Sequence, residues 1–475
     1  MVLNCVLVLV LMGVVTFRGA SVTPSNAKTG ETNTHRHTTN THVETNLGLV
    51  AADEPRCSEV RIARFPNPNT VCIDKTDTFL FQSQIGAAVL EDGGVAVDAA
   101  VATALCLGVV HPHSSGIGGG AFAVVFDAKN GTSEVIEFRE EAPGGASFDM
   151  FSNGSGSGSG VGELRGSEFS GGAVAVPSEL AGLHLAWTRH GVLPWPRLVA
   201  PSMELAKGFI IGPALAEAIE SEKKNLALFE QTKSIFLNEN GSAKQRGDVL
   251  RNPRLAETLR LVSEFGSEVL RTGALAEALA LDIQQAGGFV TKEDLAQYAP
   301  RVLQPLSFHA LGYEILGVPP PSSGGASLGL ILEFMAGFLG EADGRPPSQL
   351  DRGTQQHRLV EAFKHAFAMR GNLGDLKGDG NFAGDENLNI SGALGDMLDP
   401  VFVNELRQMT NDAHTLPVEE YGARWNQVTD SGTTHVSVVD RFGNAVALTS
   451  TINTPFGSKV RLAFPKSQDC LTIQY

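Results

Sequence analysis

The sequence is poor in the residues that mark several large classes of protein. Its five cysteines in 475 residues are too few for a disulfide scaffold, and no Cys or His pair has the spacing of a zinc site. Lysine and arginine number 36 against 52 acidic residues, which gives a net charge of −16. Without a basic run, the chain offers no surface for the phosphates of a nucleic acid. These deficits exclude a disulfide-stapled scaffold, a zinc motif and a nucleic-acid-binding protein.

What remains is the composition of an ordinary globular protein. Apolar residues make up 42% of the chain and charged residues 19%. A chain of 475 residues can bury a large core and has material for two or three domains. Helical and strand patterns are mixed along it without an internal repeat, which predicts a layered α/β or α+β fold.

Hydrophobic spacing and turn residues predict the main elements. An Ala-rich stretch indicates a buried helix at 96–110. The other predicted helices lie at 178–208 with breaks at Pro194 and Pro196, at 254–284 with a break at Gly273, at 326–338 and at 357–370. The predicted strands lie at 121–127 and 133–139 as one hairpin, at 305–317 around Gly312, and at 434–449 as a second hairpin.

The N-terminal residues have the pattern of a targeting segment. Residues 2–17 form one apolar run, shorter than the roughly 20 residues that span a membrane. Small residues follow, so residues 1–21 are predicted to be a signal peptide cleaved near Ala20. The missing positive n-region leaves an uncleaved membrane anchor as an alternative, and a buried N-terminal strand is a third. Residues 22–46 are rich in Thr, Asn and His and predict a disordered polar stalk.

A targeting segment also predicts where the protein is found. We expect the secretory pathway, with the mature protein on the extracellular face of the plasma membrane, secreted or vacuolar. Asn-X-Ser/Thr sequons then become candidate glycosylation sites, at Asn130, Asn153, Asn240 and Asn389.

A glycine-rich stretch at 116–121 matches the G-x-G-x-x-A pattern of a dinucleotide-binding loop. That motif needs a strand before it and a helix after it. Here the predicted helix at 96–110 comes first and the strand at 121–127 follows, so we reject nucleotide binding. The glycines favour a tight crossing at which two backbone segments approach closely.

Thr433 stands in the segment Asp-Ser-Gly-Thr-Thr-His, directly before a predicted strand. A threonine hydroxyl is a weak nucleophile that needs an adjacent base. If the peptide bond between Gly432 and Thr433 is cut, the new α-amine lies on the same residue, and its usual pKa of about 7.7–8.0 lets it accept the proton near neutral pH. Alone, this pattern is more typical of an ordinary loop.

An ordered series of motifs accompanies this threonine. Upstream are Asp92-Gly-Gly, Ser114-Ser-Gly-Ile-Gly-Gly-Gly, Phe138-Arg-Glu, Val174-Ala-Val-Pro, Pro319-Pro-Pro-Ser-Ser-Gly-Gly and His357-Arg-Leu-Val-Glu-Ala-Phe. Downstream are Thr433-Thr-His-Val-Ser-Val-Val-Asp, Thr449-Ser-Thr-Ile-Asn and Phe456-Gly-Ser-Lys-Val. In these motifs and their order, residues 47–59 and 85–460 resemble the γ-glutamyltransferase (glutathione hydrolase) family of N-terminal-nucleophile hydrolases.

The resemblance implies a fold and a set of roles. The fold would be the αββα sandwich of these hydrolases, a layered α/β class, with residues 47–432 as the large-subunit region and residues 433–475 as the start of the small-subunit region. Thr433 would cut its own preceding bond at Gly432 and then carry the γ-glutamyl group. Thr451 would hydrogen-bond the nucleophile, Arg139 would bind the glutamyl α-carboxylate and Asn453 its backbone groups.

The implied reaction is γ-glutamyl transfer from glutathione and other γ-glutamyl compounds. The acceptor would be water, an amino acid or a dipeptide, with no metal and no organic cofactor, and the large and small subunits from one precursor would stay associated. The resemblance also implies a disulfide between Cys57 and Cys106, with two unpaired thiols as the alternative.

Two segments depart from the family pattern. Residues 60–84 and 461–475 have no counterpart in it, and the region after Thr433 is short, so the fold is expected to be incomplete at the C-terminus. Both segments are interpreted as translated intron sequence, with a real loop and tail as the alternative. Two other functions stay open: a related acylase that removes β-lactam side chains, and a catalytically dead fragment. The resemblance implies that C-terminal catalytic segments of the family are missing, so the chain of 475 residues is expected to be inactive and poorly soluble.

Overall fold

Two units make up the described part of this chain. The computed structural model describes residues 4–9, 14–19, 48–53, 85–147, 150–151, 169–340, 352–375, 390–423 and 432–459. The larger unit contains the described residues 48–53, 85–147, 150–151, 169–304 and 432–459, and the smaller unit contains the described residues 4–9, 14–19, 305–340, 352–375 and 390–423.

A six-stranded antiparallel sheet is the centre of the larger unit. Its strands in chain order are β3 (Gly48–Ala52), β4 (Gly120–Asp127), β5 (Thr132–Phe138), β8 (Arg301–Leu303), β11 (Thr434–Asp440) and β12 (Ala445–Thr451). In space they run β3-β11-β12-β4-β5-β8, so β12 pairs with β11 on one side and β4 on the other. The sheet therefore joins strands from four distant parts of the sequence.

Helices cover this sheet and extend away from it. They are α1 (Ile85–Glu91), α2 (Ala96–Val110), α3 (Glu179–His190), α4 (Trp195–Lys207), α5 (Pro213–Leu226), α6 (Glu230–Phe236), α7 (Pro253–Phe265), α8 (Glu268–Arg271), α9 (Ala276–Gln285) and α10 (Lys292–Gln297). A short ribbon of β6 (Phe209–Ile210) and β7 (Val249–Leu250) lies among them. Helix α2 packs on β11 and β12, while α4 packs on α2 and on α7.

Helix α2 forms the middle of the core because its sequence is almost entirely small and apolar. Every residue of it except Gly108 is buried. Its start is fixed to the sheet by Asp440, whose Oδ2 accepts a hydrogen bond from the backbone N of Ala96 at 3.0 Å. An acceptor at a helix N-terminus satisfies a backbone donor that would otherwise be unpaired in the interior.

The smaller unit has its own sheet, helices and core. The sheet order is β1-β2-β10-β9, with strands β1 (Asn4–Leu9), β2 (Val14–Gly19), β9 (Leu306–Ala310) and β10 (Tyr313–Gly317). Its helices are α11 (Gly324–Gly340), α12 (Arg352–Arg370), α13 (Ile390–Leu398) and α14 (Pro400–Met409). Helix α11 packs on the other three, and Phe334, Ala362 and Met397 are buried between them.

Most of the predicted elements are confirmed. The helix at 96–110 has the predicted bounds, and both hairpins and the strands around Gly312 are present. The single break predicted at Gly273 is wrong in position. The chain already leaves α7 at Gly266, which has a φ of +63°, and a short helical turn, α8, precedes Gly273. The layered α/β class is confirmed, with helix α2 lying against the six-stranded sheet.

The N-terminal apolar run is extended in the part that the structure describes. Residues 4–9 and 14–19 form strands. This is the conformation expected under the third alternative, in which the apolar run is an N-terminal strand. The targeting role of residues 1–21 stays a prediction, and the stalk at 22–46 lies outside the described residues. None of the helices in the described ranges is both long and apolar enough to cross a bilayer.

Packing of α3 on the sheet supplies the first prediction. A Cβ added to Gly182 in α3 would lie 1.9 Å from Cγ of Phe138, which is fully buried. The change Gly182→Ala should therefore overpack this contact and destabilise the larger unit by about 1–3 kcal/mol. Its matched control is Gly395→Ala in α13, where a Cβ meets nothing within 4 Å and helix propensity should stabilise by about 0.5–1 kcal/mol.

Thermal unfolding followed by circular dichroism measures both changes. The expected result is a lower midpoint for Gly182→Ala and an equal or higher midpoint for Gly395→Ala. Equal midpoints for the two variants would contradict the close approach of α3 to Phe138.

Candidate active site

Thr433 lies at the open end of the second hairpin. It directly precedes β11, and both Gly432 and Thr433 are exposed, whereas Thr434 is buried. The last ladder pair of β11 with β12 is Thr434 with Ser450. Continuing that antiparallel register by one residue brings Thr433 opposite Thr451. The two threonines predicted to act together thus share one end of the hairpin, and the hydrogen bond between them stays a prediction.

Arg139 and Asn453 lie at the same end of the sheet. Arg139 follows β5 and Asn453 follows β12, and Nη2 of Arg139 donates to Oδ1 of Asn453 at 3.3 Å. The backbone N of Asn453 donates to Oγ1 of Thr451 at 3.0 Å. One hydrogen-bonded chain therefore connects three of the predicted site residues, from Arg139 through Asn453 to Thr451.

Arg139 and Asn453 border a small cavity. It measures about 180 Å³ and is lined by Gly118, Arg139, Glu140, Ala173, Val174, Ala175, Ile452, Asn453, Thr454 and Ser458. Pockets for drug-sized ligands measure about 300–1,000 Å³, so this one suits a smaller group. A larger cavity of about 440 Å³ lies at the opposite end of the sheet, beside Phe442 and Asn444, and none of the predicted catalytic or substrate-binding residues lines it.

The charge of Arg139 is partly balanced by its neighbour. Nη1 of Arg139 lies 3.0 Å from Oε2 of Glu140, whose side chain is 11% exposed. Burial raises the pKa of Glu140, and the positive charge of Arg139 opposes that rise. Tyr298 holds the backbone of this segment, since its hydroxyl donates to the carbonyl of Arg139 at 3.0 Å. The guanidinium is thus fixed at the cavity wall by side-chain and backbone contacts.

The turn after β12 is held in an unfavourable backbone conformation. Asn453, Phe456 and Lys459 have φ values of +67°, +58° and +60°, a region that non-glycine residues rarely occupy. Phe456 is fully buried, its ring lies 4.8 Å from that of Phe236, and its backbone N donates to the carbonyl of His113. Such strain persists where surrounding packing enforces it, and it occurs preferentially at functional sites.

Sequence reasoning missed a buried carboxyl below this turn. Oγ of Ser450 donates to Oε2 of Glu179 at 2.5 Å and lies 2.9 Å from Oγ of Ser115. Burial raises the pKa of Glu179 well above its usual value, and the charge of Glu140 adds to the rise. Burial thus favours the protonated form of Glu179, while the hydrogen bond from Ser450 opposes that effect. In the sequence it resembles any acidic residue in a first helical turn, where such residues are common.

A second residue was missed at the other side of the hairpin. Oδ2 of Asp53, directly after β3, accepts hydrogen bonds from Oγ1 of Thr434 at 2.8 Å and from the backbone N of His435 at 3.1 Å. No sequence signal pointed to it, because Asp53 is 381 residues away from Thr434.

The other predicted sites are placed in part. Cys106 is disulfide-bonded, while Cys57 lies outside the described residues, so their pairing stays a prediction. Asn130 and Asn240 are exposed, and Asn153 and Asn389 also lie outside the described residues. Within the described ranges, no group of three or more His, Cys, Asp or Glu side chains could hold a metal ion.

A family model and a curated relative both relate this chain to the gamma-glutamyltranspeptidases. The model of the family described as gamma-glutamyltranspeptidase matches residues 82–463. Glutathione hydrolase 2 of Arabidopsis thaliana is 42% identical over 377 residues, which are 79% of this chain and 61% of that protein. The chain spans about three fifths of the length of the curated relatives it matches.

Two solved structures are similar in fold. The gamma-glutamyltranspeptidase of Helicobacter pylori aligns with a TM-score of 0.65 at 28% identity, covering 82% of this chain and 100% of that one. A cephalosporin acylase of Bacillus halodurans aligns with a TM-score of 0.68 at 23% identity, covering 93% of this chain and 71% of that one. The acylase, at that identity, shares the fold alone.

Glu179 supplies a prediction for the dependence of stability on pH. The folded state retains a proton on Glu179 that the unfolded chain loses above its ordinary pKa of 4.5. The free energy of unfolding should therefore fall as pH rises from about 4.5 towards the raised pKa of Glu179. Glu179→Gln, which is neutral at every pH, should abolish this part of the fall, as measured by urea unfolding between pH 4.5 and 9.

Glu134→Gln is the matched control with the opposite sign. Arg189 lowers the pKa of Glu134 by hydrogen bonding, so Glu134 stabilises the fold above its ordinary pKa and loses this effect as pH falls. The Gln variant should then be less stable than the wild type at neutral pH and equal to it in acid. If the free energy of unfolding of Glu179→Gln falls with rising pH as steeply as that of the wild type, Glu179 is ionised in the folded state.

Proposed function

Because the chain belongs to the gamma-glutamyltranspeptidase family, we propose that it transfers γ-glutamyl groups from glutathione and other γ-glutamyl compounds, with Thr433 as the nucleophile. One observation carries the proposal: the hairpin that begins at Thr433 ends at Thr451 and Asn453, and Asn453 meets Arg139 at a cavity of about 180 Å³. Thr433 thus lies opposite Thr451 in the hairpin register, and the guanidinium of Arg139 lines the small pocket.

Maturation would begin at the peptide bond between Gly432 and Thr433. Oγ1 of Thr433 attacks the carbonyl carbon of Gly432, the C–N bond breaks, and the hydroxyl proton passes to the nitrogen of Thr433. Water then hydrolyses the resulting ester, which leaves a carboxylate on Gly432 and both a free hydroxyl and a free amine on Thr433. The exposure of both residues and the absence of a side chain on Gly432 favour this attack.

The freed residue would then act on the substrate. Its α-amine takes the hydroxyl proton while Oγ1 attacks the γ-glutamyl carbonyl, and the same proton passes to the leaving amine of cysteinylglycine. The γ-glutamyl ester on Thr433 is resolved by water or by the amine of an amino acid or dipeptide. No metal or organic cofactor enters these steps.

Substrate recognition would rest on the wall of the cavity. A guanidinium matches a carboxylate with two parallel hydrogen bonds, so Arg139 suits the α-carboxylate of the glutamyl group. Asn453 offers both a donor and an acceptor beside it. Glu140 pairs with Arg139 at 3.0 Å at the same wall.

The sheet would keep the two products of scission together. After a cut before Thr433, β11 still lies between β3 and β12, and β12 is still paired with β4. We also propose maturation in the secretory pathway, with the protein extracellular, at the cell surface or vacuolar, as its N-terminal run and sequons predict.

Two other functions are distinguishable by experiment. A β-lactam side-chain acylase would hydrolyse a glutaryl-cephalosporin and leave a chromogenic γ-glutamyl anilide intact. A catalytically dead fragment would remain a single uncut chain on intact-mass analysis after long incubation. The family membership and the Arg139–Asn453 cavity favour γ-glutamyl transfer over the removal of a β-lactam side chain, and intact mass decides between the enzyme and the dead fragment.

Thr433 itself is tested by two substitutions in the full chain. Thr433→Ala removes the hydroxyl, so scission and glutamate release from glutathione should both disappear. Thr433→Ser keeps the hydroxyl and the amine and should retain both, at reduced rate. Intact mass and a glutamate assay measure the outcomes, and an alanine variant that still matures and releases glutamate would overturn the proposed mechanism.

Arg139 is tested by its KM effect. Arg139→Lys keeps the charge but loses the two-pronged contact, which is worth about 1.5–3 kcal/mol, or roughly 10–100-fold in KM, with kcat less affected. Arg189→Lys is the matched control, because Arg189 pairs through two nitrogens with Glu134 and does not line the cavity. Equal KM values for glutathione in both variants would remove Arg139 from the binding site.

A further inference from the structure

The start of β11 is held by hydrogen bonds to a residue outside its own hairpin. Thr434 and His435 are the two residues that follow Thr433, and each donates one hydrogen bond to the same oxygen, Oδ2 of Asp53, at 2.8 and 3.1 Å. Asp53 belongs to the segment that ends β3. The residues next to the proposed scission bond are therefore held by a carboxylate from the N-terminal part of the larger unit.

This contact takes over where the ladder of β3 ends. The pairs of β11 with β3 run from Asp440 with Gly48 to Val436 with Ala52. Residues 434 and 435 extend past that last pair, so on this side the backbone N of His435 has a carboxylate as its partner where a strand carbonyl would otherwise be. A backbone N–H group beyond the end of a ladder has no strand carbonyl to bond, so it needs another partner such as a side chain or water.

The side chains of these two residues are fixed as well. Thr434 is 1% exposed, and its hydroxyl is the group that reaches Asp53. The ring of His435 lies between Oγ1 of Thr449, at 2.8 Å from Nδ1, and Oγ of Ser437, at 2.9 Å from Nε2. Thr433 is thus the first residue beyond a dipeptide that is held at both backbone and side chains.

We propose that Asp53 is a positioning residue for the self-cleavage of the chain at Gly432–Thr433. The inference rests on the proposed function and adds a residue to it. Attack by Oγ1 of Thr433 on the adjacent carbonyl needs a defined backbone at Thr433, which is one peptide bond from Thr434. By fixing residues 434 and 435, Asp53 holds the nucleophile near its attack geometry without touching the reacting atoms. Small displacements at a reacting centre can cost up to about 100-fold in rate.

The test measures the rate of scission in the full chain by intact mass. Asp53→Ala removes the acceptor and should slow scission by about tenfold or more. Asp53→Asn keeps an oxygen that can occupy the same place, so its rate should stay within a few-fold of the wild type. Rescue by the amide separates positioning from proton transfer, because an amide cannot act as a base.

The matched control is Asp127→Ala at the other end of the sheet. Asp127 also accepts from two successive backbone donors, those of Lys129 and Asn130, in the turn after β4. Its removal should leave the scission rate unchanged. Thermal midpoints of the Asp53 and Asp127 variants should be similar, which would show that a slower rate at Asp53→Ala does not come from unfolding.

Thr434→Val gives a second test that leaves Asp53 in place. Valine keeps the buried shape of Thr434 but cannot donate to Asp53, so scission should slow by less than in Asp53→Ala. The double variant Asp53→Ala/Thr434→Val should be no slower than Asp53→Ala alone, since both changes remove the same hydrogen bond. If Asp53→Ala folds poorly, Thr434→Val alone still decides the question, because it leaves Asp53 in place.

The outcomes separate the inference from the function it rests on. Scission of Asp53→Ala and Thr434→Val at the wild-type rate, or an Asp53→Asn chain as slow as Asp53→Ala, would overturn the positioning role and leave Thr433 as the nucleophile. A wild-type chain that is never cut would overturn both. We expect slow scission in Asp53→Ala, a near-normal rate of scission in Asp53→Asn and a normal rate in Asp127→Ala.

Discussion

The pairing of β12 with both of its neighbours is the interaction on which the site depends. Through β11 its register sets Thr433 opposite Thr451, and through β4 it holds Thr451 against Gly120. A slip of one residue would turn every side chain to the other face of the sheet. Because β12 is central, with a ladder to β4 over Ala445–Thr451 and one to β11 over Ala445–Ser450, such a slip would break two sets of hydrogen bonds and remove the buried side chains of Val446 and Leu448 from the face they now occupy.

The glycines before β4 make that pairing possible. A Cβ on Gly119 would lie 2.1 Å from the carbonyl oxygen of Thr451, and one on Gly120 would lie 2.5 Å from the carbonyl oxygen of Phe138. The backbone of this loop therefore passes directly against the end of β12 and against the start of the Arg139 segment. The tight crossing that the sequence predicted at 116–121 is thus a wall of the site, and the predicted order of helix, loop and strand is confirmed by helix α2, the loop and β4.

Electrostatics around the cavity follow from unequal burial. Arg139 is 35% exposed at the wall, Glu140 beside it is nearly buried, and Glu179 is fully buried. Burial raises the pKa of Glu179, the hydrogen bond from Ser450 opposes that rise, and the charge of Glu140 adds to it. Ser450, which lies one residue before Thr451, donates to Glu179, so a buried carboxyl anchors the end of β12.

The sequence by itself determined the local and the chemical features of this protein. The Ala-rich pattern of α2, the turn residues of both hairpins and the ordered motifs around Thr433, Thr451, Arg139 and Asn453 were sufficient for the layered class, the family and the predicted site. Those features depend on residues that are close together in the chain, or on short motifs that can be identified directly in the sequence. Only the tertiary structure decided that Asp53 meets Thr434 and that Ser450 meets Glu179, since these pairs are separated by 381 and 271 residues. A contact across such a distance depends on strand order and register, which no local pattern encodes.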